Sequence, residues 1–265
     1  MVSNTRVFSI GVFDSGVGGL SILKSIMKKL PRYNYVYLGD NANVPYGDKS
    51  KREIRKLVIK AVDFLFKKNC FLIILACNTA TANALRYVQK HILPKKYPQR
   101  RVLGIIRPVT ELVSSLSYGT IGIIATSATV RSRSFIKEIR KSGNRLLIHQ
   151  KACPLLVPYI EKGKKDKTIL ENILKKYLLP LRKKKISHLI LGCTHYTLVQ
   201  DSIQKIIGEK TTVINEGQIT TNKLKSYLAR HPEIEGLLKK DSKQSYFVTK
   251  PSKSYSKLMK IFLNL

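Results

Sequence analysis

A chain of 265 residues can bury one large or two smaller cores, and its longest apolar run, residues 71–77, is far too short to cross a bilayer. The formal net charge of +33 makes nucleic acid or an anionic membrane surface a candidate partner. However, the 35 Lys and 14 Arg residues are spread along the whole chain, with no helix-turn-helix, zinc-finger or RNP-like pattern. This leaves at most weak, non-specific nucleic-acid binding, and we expect no membrane partner.

The predicted elements alternate along the chain between short apolar strands and helices with a 3.6-residue apolar period. Strands are predicted at residues 7–14, 33–40, 71–77, 101–106, 120–126, 189–193 and 212–215. Helices are predicted at 19–30, 51–68, 79–92, between 106 and 120, at 133–141, 168–182, 199–207 and from 216 to about 230. Pro232 and the polar stretch 239–254 predict a looser tail. The alternation is typical of parallel sheets with helices on both faces, so the predicted fold class is α/β.

Cysteine follows two of the predicted strands, in LIILACNT (72–79) and LILGCTH (189–195). The strand segments IGVFDSG (10–16) and IGIIATS (121–127) are also alike, which indicates two related halves. A single CTH tripeptide would more simply be a buried thiol with a loop histidine. The second copy favours function, because carboxyl ends of parallel strands form the ligand crevice of α/β sheets. Two such halves facing each other would put Cys77 and Cys193 on opposite walls of one cleft.

A thiol on each side of a bound molecule suits the transfer of a proton from one face of a carbon to the other. Such a reaction needs a base within hydrogen-bond reach and an acid on the opposite face. A thiol serves both roles because its ordinary pKa, about 8.5, lies close to neutrality. Asn78, Thr79 and Thr194 add neutral donors, and Asp14 and His195 could orient or polarise the thiols.

Two other sequence features bear on ligand binding. The Gly-rich turn FDSGVGGLS (13–21) fits neither GxxxxGK[ST] nor GxGxxG, so nucleotide binding is not expected. The cysteines at 70, 77, 153 and 193 form no CxxC pair, so neither a zinc site nor a disulfide framework is expected.

No secretory signal is visible, and the predicted location is the cytoplasm. No metal and no cofactor are expected.

Six segments, taken together and in order, resemble the signature segments of bacterial glutamate racemases. They are FDSGVGGL (13–20), GDNANVPYG (39–47), ACNTATA (76–82), IATSATVRS (124–132), ACPLLVPYIE (152–161) and LGCTHYTL (191–198). The resemblance implies two similar α/β domains, each a mostly parallel sheet flanked by helices, with the active site in the cleft between them. The expected boundaries are 1–98 plus 211–265 for the first domain and 99–210 for the second.

The resemblance also implies a cofactor-independent, two-base interconversion of L-glutamate and D-glutamate that supplies D-glutamate for peptidoglycan. Its expected catalytic residues are Cys77 for the D-glutamate proton and Cys193 for the L-glutamate proton, assisted by Asp14, His195 and Glu161. Expected contacts to the substrate glutamate are Asp14, Ser15, Tyr46, Gly47, Asn78, Thr79, Thr126, Thr129, Thr194 and His195. For Thr126 and Thr129 an ordinary strand-end cap stays open, as does a solvated helix position for Glu161.

Three positions depart from the family pattern, and none of them removes a reacting group. Thr197 stands where Pro is usual, Arg107 stands where an acidic residue is frequent, and INEG (214–217) replaces an Ile-Asp-Ser-like segment. An aspartate racemase of the same superfamily is the nearest alternative, although Thr-His-Tyr after Cys193 favours glutamate. A basic nucleic-acid-binding protein with inactive cysteines is the alternative from another class. A homodimer is one oligomeric state that stays open.

Overall fold

The computed structural model describes residues 7–116, 118–143, 145–163, 166–253, 255–257 and 259. Within these residues the chain forms two separate parallel sheets, one of five strands and one of four. The predicted α/β class with two similar, mostly parallel sheets flanked by helices is therefore confirmed.

The first sheet contains β1 (Ser9–Asp14), β2 (Tyr35–Gly39), β3 (Cys70–Leu75), β4 (Arg101–Gly104) and β9 (Gln244–Val248) in the order β4-β3-β1-β2-β9. One face packs on α1 (Gly19–Lys29) and α11 (Glu216–Arg230), and the other on α2 (Lys51–Lys67) and α3 (Asn78–Tyr87). Helix α2 begins with a capping box, in which Ser50 and Glu53 each bond the other's backbone N–H. A π-helical turn (Val88–Ile92) and α4 (Leu93–Lys96) follow α3.

The second sheet contains β5 (Thr120–Ala125), β6 (Leu147–Ala152), β7 (His188–Gly192) and β8 (Thr212–Ile214) in the order β6-β5-β7-β8. One core contains side chains of α8 (Leu156–Glu161), α9 (Lys167–Lys183) and α10 (Gln200–Ile207). The other contains side chains of α5 (Ile106–Ser114) and α7 (Ser134–Arg140). Two short helices, α6 (Ser127–Ser132) and α12 (Pro232–Glu235), and 3-10 turns at Asn41–Asn43, Tyr46–Asp48 and Thr194–Val199 complete the described elements.

The two sheets repeat the same arrangement. The order β4-β3-β1-β2 in the first sheet corresponds to β8-β7-β5-β6 in the second. The strand pairs whose sequences are alike, β1 with β5 and β3 with β7, therefore occupy matching positions. As a result, the two cysteine-bearing strand ends, after β3 and after β7, are equivalent places in the two halves.

Two strands were not predicted from the sequence. β6 is an edge strand of sequence LIHQKA in which every residue is at least partly exposed, so it lacks the apolar run that marked the other strands. β9 pairs with β2 at the edge of the first sheet, so the prediction of a loose tail over 239–254 is wrong for residues 244–248. Edge strands need to bury only one side, which leaves a weaker pattern in the sequence.

Two strands near the expected domain boundaries pair with the sheet of the other domain. The expected limits assign residues 101–104 to the second domain and 212–214 to the first. In the structure, β4 pairs with β3 of the first sheet and β8 pairs with β7 of the second. The chain thus crosses between the halves just after each of these strands, and the exact boundaries stay a prediction.

None of the described helices is both long and apolar enough to span a bilayer.

Candidate active site

The carboxyl ends of strands from both sheets converge on one cleft. Its walls contain both Cys77, which follows β3, and Cys193, which follows β7. Of the other residues expected at the site, Ser15, Tyr46, Gly47, Asn78, Thr79, Thr126 and His195 also line it. The two sheets therefore bring the predicted pair of thiols into the same enclosed space.

The thiol of Cys77 lies at the start of α3. Its Sγ accepts a hydrogen bond from the backbone N–H of Ala80 at 3.4 Å, so this residue caps the helix. The hydroxyl of Ser15 lies 3.3 Å from the same sulfur. Burial, followed by the nearby carboxyl of Asp14, raises the pKa of the Cys77 thiol to about 12. At neutral pH this residue is therefore a neutral thiol, suited to deliver a proton.

The thiol of Cys193 lies against a histidine and a carboxylate. Nδ1 of His195 is 3.8 Å from Cys193 Sγ, and Nε2 is 2.9 Å from Oε1 of Glu161. Burial alone would lower the pKa of His195, but the contacts with Cys193 and Glu161 outweigh it and hold this pKa well above its usual value. The ring is thus a cation that donates from both nitrogens. A positive charge beside sulfur is the setting in which cysteine acts as a base.

Asp14 lies behind the cleft, fully buried, between the two halves. Its Oδ2 accepts from the backbone N–H of Gly16 at 2.8 Å, and its Oδ1 is 3.5 Å from the Thr194 hydroxyl of the other half. Burial raises the pKa of Asp14, against the opposing effects of His195 and the backbone N–H groups. Asp14 and Thr194 do not line the cleft directly, so their geometry suits positioning of the walls rather than direct contact.

Three threonine hydroxyls join the halves at one end of the cleft. Thr79 Oγ1 lies 2.8 Å from Thr126 Oγ1 and 3.2 Å from Thr129 Oγ1, while the last two are 3.0 Å apart. Thr126 also caps α6, accepting from the backbone N–H of Thr129 at 3.4 Å. Thr126 therefore both caps α6 and lines the cleft, whereas Thr129 lies behind the cleft wall.

The loop before α2 forms a third wall. The hydroxyl of Tyr46 donates to Asp40 at 2.6 Å, which fixes a buried ring beside the cleft. A Cβ placed on Gly47 would lie 2.9 Å from Cβ of Thr126, so glycine permits the loop to approach the second half.

The structure adds residues that sequence reasoning missed. Cys153, Pro154, Val157 and Pro158 line the cleft from the segment after β6. The segment ACPLLVP, which contains these residues, was noted in the sequence, but the strand before it was not predicted. Nothing therefore placed these residues at the carboxyl end of a strand. Glu161 does not line the cleft, and it contacts the cleft residue His195 from behind. In the part of the chain that the structure describes, no group of three or more His, Cys, Asp or Glu side chains is arranged to hold a metal ion.

Comparison with known proteins gives a consistent family match. The family model described as Asp/Glu/Hydantoin racemase matches residues 10–224. A glutamate racemase from Persephonella marina is 38% identical over 252 residues, covering 94% of this chain and 91% of its own length.

Solved structures of glutamate racemases share the whole architecture. The enzyme from Francisella tularensis, in complex with D-glutamate, is 34% identical with a TM-score of 0.87, covering 98% of this chain and 95% of that one. A glutamate racemase isoform from Bacillus anthracis is 32% identical with a TM-score of 0.88 and the same coverage.

Proposed function

The chain belongs to the Asp/Glu/Hydantoin racemase family, among its glutamate racemases, and from this premise we propose that it interconverts L-glutamate and D-glutamate with its two cleft thiols as acid and base. The observation that carries the proposal is the presence of Cys77 and Cys193 on the walls of one cleft, at equivalent strand ends of two repeated sheets. The level of identity to glutamate racemases favours glutamate over aspartate as the substrate.

In the direction from L-glutamate, Cys193 acts as the base. Its thiolate takes the proton from Cα, and the positive ring of His195 beside the sulfur supports the charged form. The bond from carbon to hydrogen breaks as a bond from sulfur to hydrogen forms, leaving the electron pair on the substrate. Glu161 holds the His195 ring in place through Nε2.

Cys77 completes the reaction from the opposite face. Its thiol delivers a proton to Cα, which gives D-glutamate and leaves the Cys77 thiolate. Ser15 and the backbone N–H of Ala80 contact the sulfur on which the negative charge then rests. Before the next turnover in the same direction, Cys77 regains a proton and Cys193 loses one. The reverse reaction uses the same groups with the roles exchanged.

The substrate carboxylates need donors in the cleft. Backbone N–H groups at the start of α3 and the side chains of Asn78, Thr79 and Thr126 supply them. Tyr46, Gly47 and Ser15 close the remaining walls. These contacts orient the substrate so that Cα lies between the two sulfurs.

We further propose that the product D-glutamate enters peptidoglycan synthesis in the cytoplasm. The support is the resemblance of the whole chain to bacterial glutamate racemases. Growth of a bacterial strain that requires D-glutamate, when it expresses this chain, tests the role. A strain that still needs added D-glutamate despite active protein would contradict it.

Solvent deuterium tests the two-base geometry, because the proton removed at one face is not the proton delivered at the other. In D2O, L-glutamate should yield D-glutamate with deuterium at Cα, while the remaining L-glutamate stays mostly protiated at early times. Circular dichroism gives the rate of racemisation, and NMR at Cα gives the label. Equal early labelling of substrate and product would indicate a single base and overturn the mechanism.

Cysteine variants assign the roles. Cys77→Ser and Cys193→Ser should each lower kcat by about 10²–10⁴-fold in both directions, since serine is a far weaker acid and a poor base. The matched control is Cys70→Ser, which changes a buried thiol at the start of β3, away from the cleft lining. This control should stay within a few-fold of the parent where it remains folded. A Cys193→Ser variant with the parental rate would contradict the assignment.

A further inference from the structure

The residues that follow β9 lie at the edge of the first sheet that forms the cleft. β9 pairs in parallel with β2, and β2 pairs in parallel with β1, so all three strands end at this edge. We call residues 244–253 together with 255 the β9 strap. The proposed mechanism uses residues in the turns after β1 and β2, whereas it assigns no role to the strap.

The strap is attached to the turn after β2. The backbone N–H of Thr249 donates to the carbonyl of Gly39 at 3.1 Å, and the Thr249 hydroxyl donates to Oδ1 of Asp40 at 2.8 Å. The backbone N–H of Lys250 donates to Oδ1 of Asn41 at 2.9 Å. These contacts hold the strap beyond the last paired residue of β9, close to the cleft edge of the sheet.

Tyr255 of the strap contacts the turn that follows β1. Tyr255 is only 7% exposed, and its hydroxyl donates to the carbonyl oxygen of Gly16 at 2.5 Å. The hydroxyl of Tyr37, on β2, donates to the same oxygen at 2.9 Å. A Cβ placed on Gly39 would collide with the Tyr255 hydroxyl, so glycine at the end of β2 leaves the space that this hydroxyl occupies. Two tyrosines, one from the sheet and one from the strap, therefore hold the carbonyl of Gly16.

The turn that these tyrosines hold contacts the surroundings of both cleft thiols. On one side, the hydroxyl of Ser15 lies 3.3 Å from Sγ of Cys77. On the other side, a Cβ placed on Gly16 would lie 2.6 Å from Oε1 of Glu161 and 3.4 Å from Nε2 of His195. The backbone of this turn thus packs directly against the pair that supports the base. A shift of the turn would disturb the contacts of the acid and of the base together.

The Tyr255 hydroxyl keeps its proton at neutral pH. Burial, followed by the nearby carboxyls of Asp14, Glu161 and Asp40, raises the pKa of Tyr255 above its usual value. A carbonyl oxygen can only accept, so this proton is what makes the contact with Gly16 a hydrogen bond.

We propose that Tyr255 is a positioning residue for racemisation, whose hydrogen bond to the Gly16 carbonyl fixes the turn at residues 14–16 between the two thiols. This inference rests on the proposed function of the cleft. Tyr255 does not line the cleft, so it acts on the reaction through the turn. The β9 strap thereby contributes to the geometry of the site from outside it.

Tyr255→Phe tests the role, because it removes the hydroxyl and keeps the ring. We expect kcat from L-glutamate to fall about five- to ten-fold with KM within about two-fold of the parent, since the turn places the groups that transfer protons. The matched control is Tyr246→Phe on the same strap, where the hydroxyl donates to Gln244 at 2.7 Å, outside the cleft lining. This control should keep the parental kcat and KM.

Tyr37→Phe gives a second, independent test, because it removes the other donor to the same carbonyl. It should change kcat rather than KM, as Tyr255→Phe does. The double variant leaves the Gly16 carbonyl with neither tyrosine hydroxyl. Its kcat should therefore fall by more than the product of the two single effects, because each hydroxyl holds the turn when the other is absent.

Thermal unfolding of each variant separates positioning from stability. Parental kcat and KM in Tyr255→Phe, with or without a lower unfolding temperature, would show a purely structural role and overturn the proposal. A rise in KM at parental kcat, or single effects that simply multiply in the double variant, would also overturn it. A parent that does not racemise glutamate would instead contradict the proposed function.

Discussion

The two cleft cysteines have different surroundings, and the differences come from single neighbours. Cys77 contacts a neutral hydroxyl, that of Ser15, and lies near the carboxyl of Asp14. Cys193 contacts the cationic ring of His195, which Glu161 holds from behind. Residue types alone predicted the thiols and the histidine as a group, since each follows a strand end. Glu161 was expected at the site only through resemblance, and its contact with His195, 34 residues away, was not predicted.

The raised pKa of His195 gives a prediction about pH. A raised value means that the ring keeps its proton through neutral pH and loses it only when the pH passes that higher value. His195→Asn removes this charge from Cys193, so we expect kcat from L-glutamate to fall about a hundred-fold near neutral pH. Activity should recover in part as the pH rises, because hydroxide then helps to generate the thiolate.

The control for this variant is His188→Asn. His188 is the first residue of β7, the strand that leads to Cys193, and its ring contacts Ser187 outside the cleft lining. It should keep the parental rate and pH profile. Initial rates by circular dichroism from about pH 6 to about pH 10 provide the measurement. A His195→Asn variant with parental kcat near neutrality would show that the ring charge does not assist the base.

At the scale of elements, the turn after β1 brings the halves together. A Cβ placed on Gly18 would collide with Thr194 Oγ1 and would lie 2.9 Å from the backbone nitrogen of His195. The backbone of Gly18 is helical, with φ −58°, so any residue could adopt it. Glycine is therefore needed here for close approach between α1 and the turn at Thr194–Val199, not for an unusual conformation.

Gly18→Ala should therefore displace Thr194 and His195 while the two sheets remain intact. We expect kcat to fall at least about ten-fold, because a shift of about 1 Å in a catalytic group has large effects. Gly236→Ala is the matched control, since its Cβ would meet only the carbonyl of Pro232, at 3.3 Å. Racemisation rates together with thermal unfolding separate the loss of geometry from the loss of stability. Parental activity in Gly18→Ala would contradict the required approach.

Sequence patterns predicted the strands that contain an apolar run, including the edge strands β4 and β8, and missed the edge strands β6 and β9. β1, β3, β5 and β7 are apolar along their length, and each was expected within a few residues of its observed limits. β6 and β9 contain polar residues, so neither shows the apolar run by which the other strands were predicted. Consequently, the sequence indicated the cleft walls that contain Cys77 and Cys193, but not the wall formed by the residues that follow β6. The buried contact between Asn78 and Glu216 joins residues 138 apart, which no local pattern can predict.

At the scale of the whole molecule, the chain combines a repeated architecture with a formal charge of +33. The field of so many cations raises the local concentration of an anion such as glutamate, and added salt screens that field. Weak, non-specific binding of nucleic acid would have the same origin and stays a prediction.

Ionic strength should therefore change substrate capture more than chemistry. We expect KM for L-glutamate to increase several-fold between about 20 mM and about 500 mM sodium chloride, with kcat nearly constant. The same series in potassium chloride controls for specific ion effects. A KM that does not vary with salt would mean that the charge has no part in attracting the substrate.

The unequal surroundings of the two thiols have a consequence for the kinetics of the two directions. Enantiomers have equal free energies in water, so the equilibrium constant of their interconversion is one, whatever the enzyme. The ratio of kcat to KM must then be the same for L-glutamate and D-glutamate. A cation beside Cys193 and a hydroxyl beside Cys77 can make kcat differ between the directions only if KM differs by the same factor. The asymmetry of the cleft can therefore set the concentration at which each enantiomer saturates the enzyme, but not the final proportion of the two.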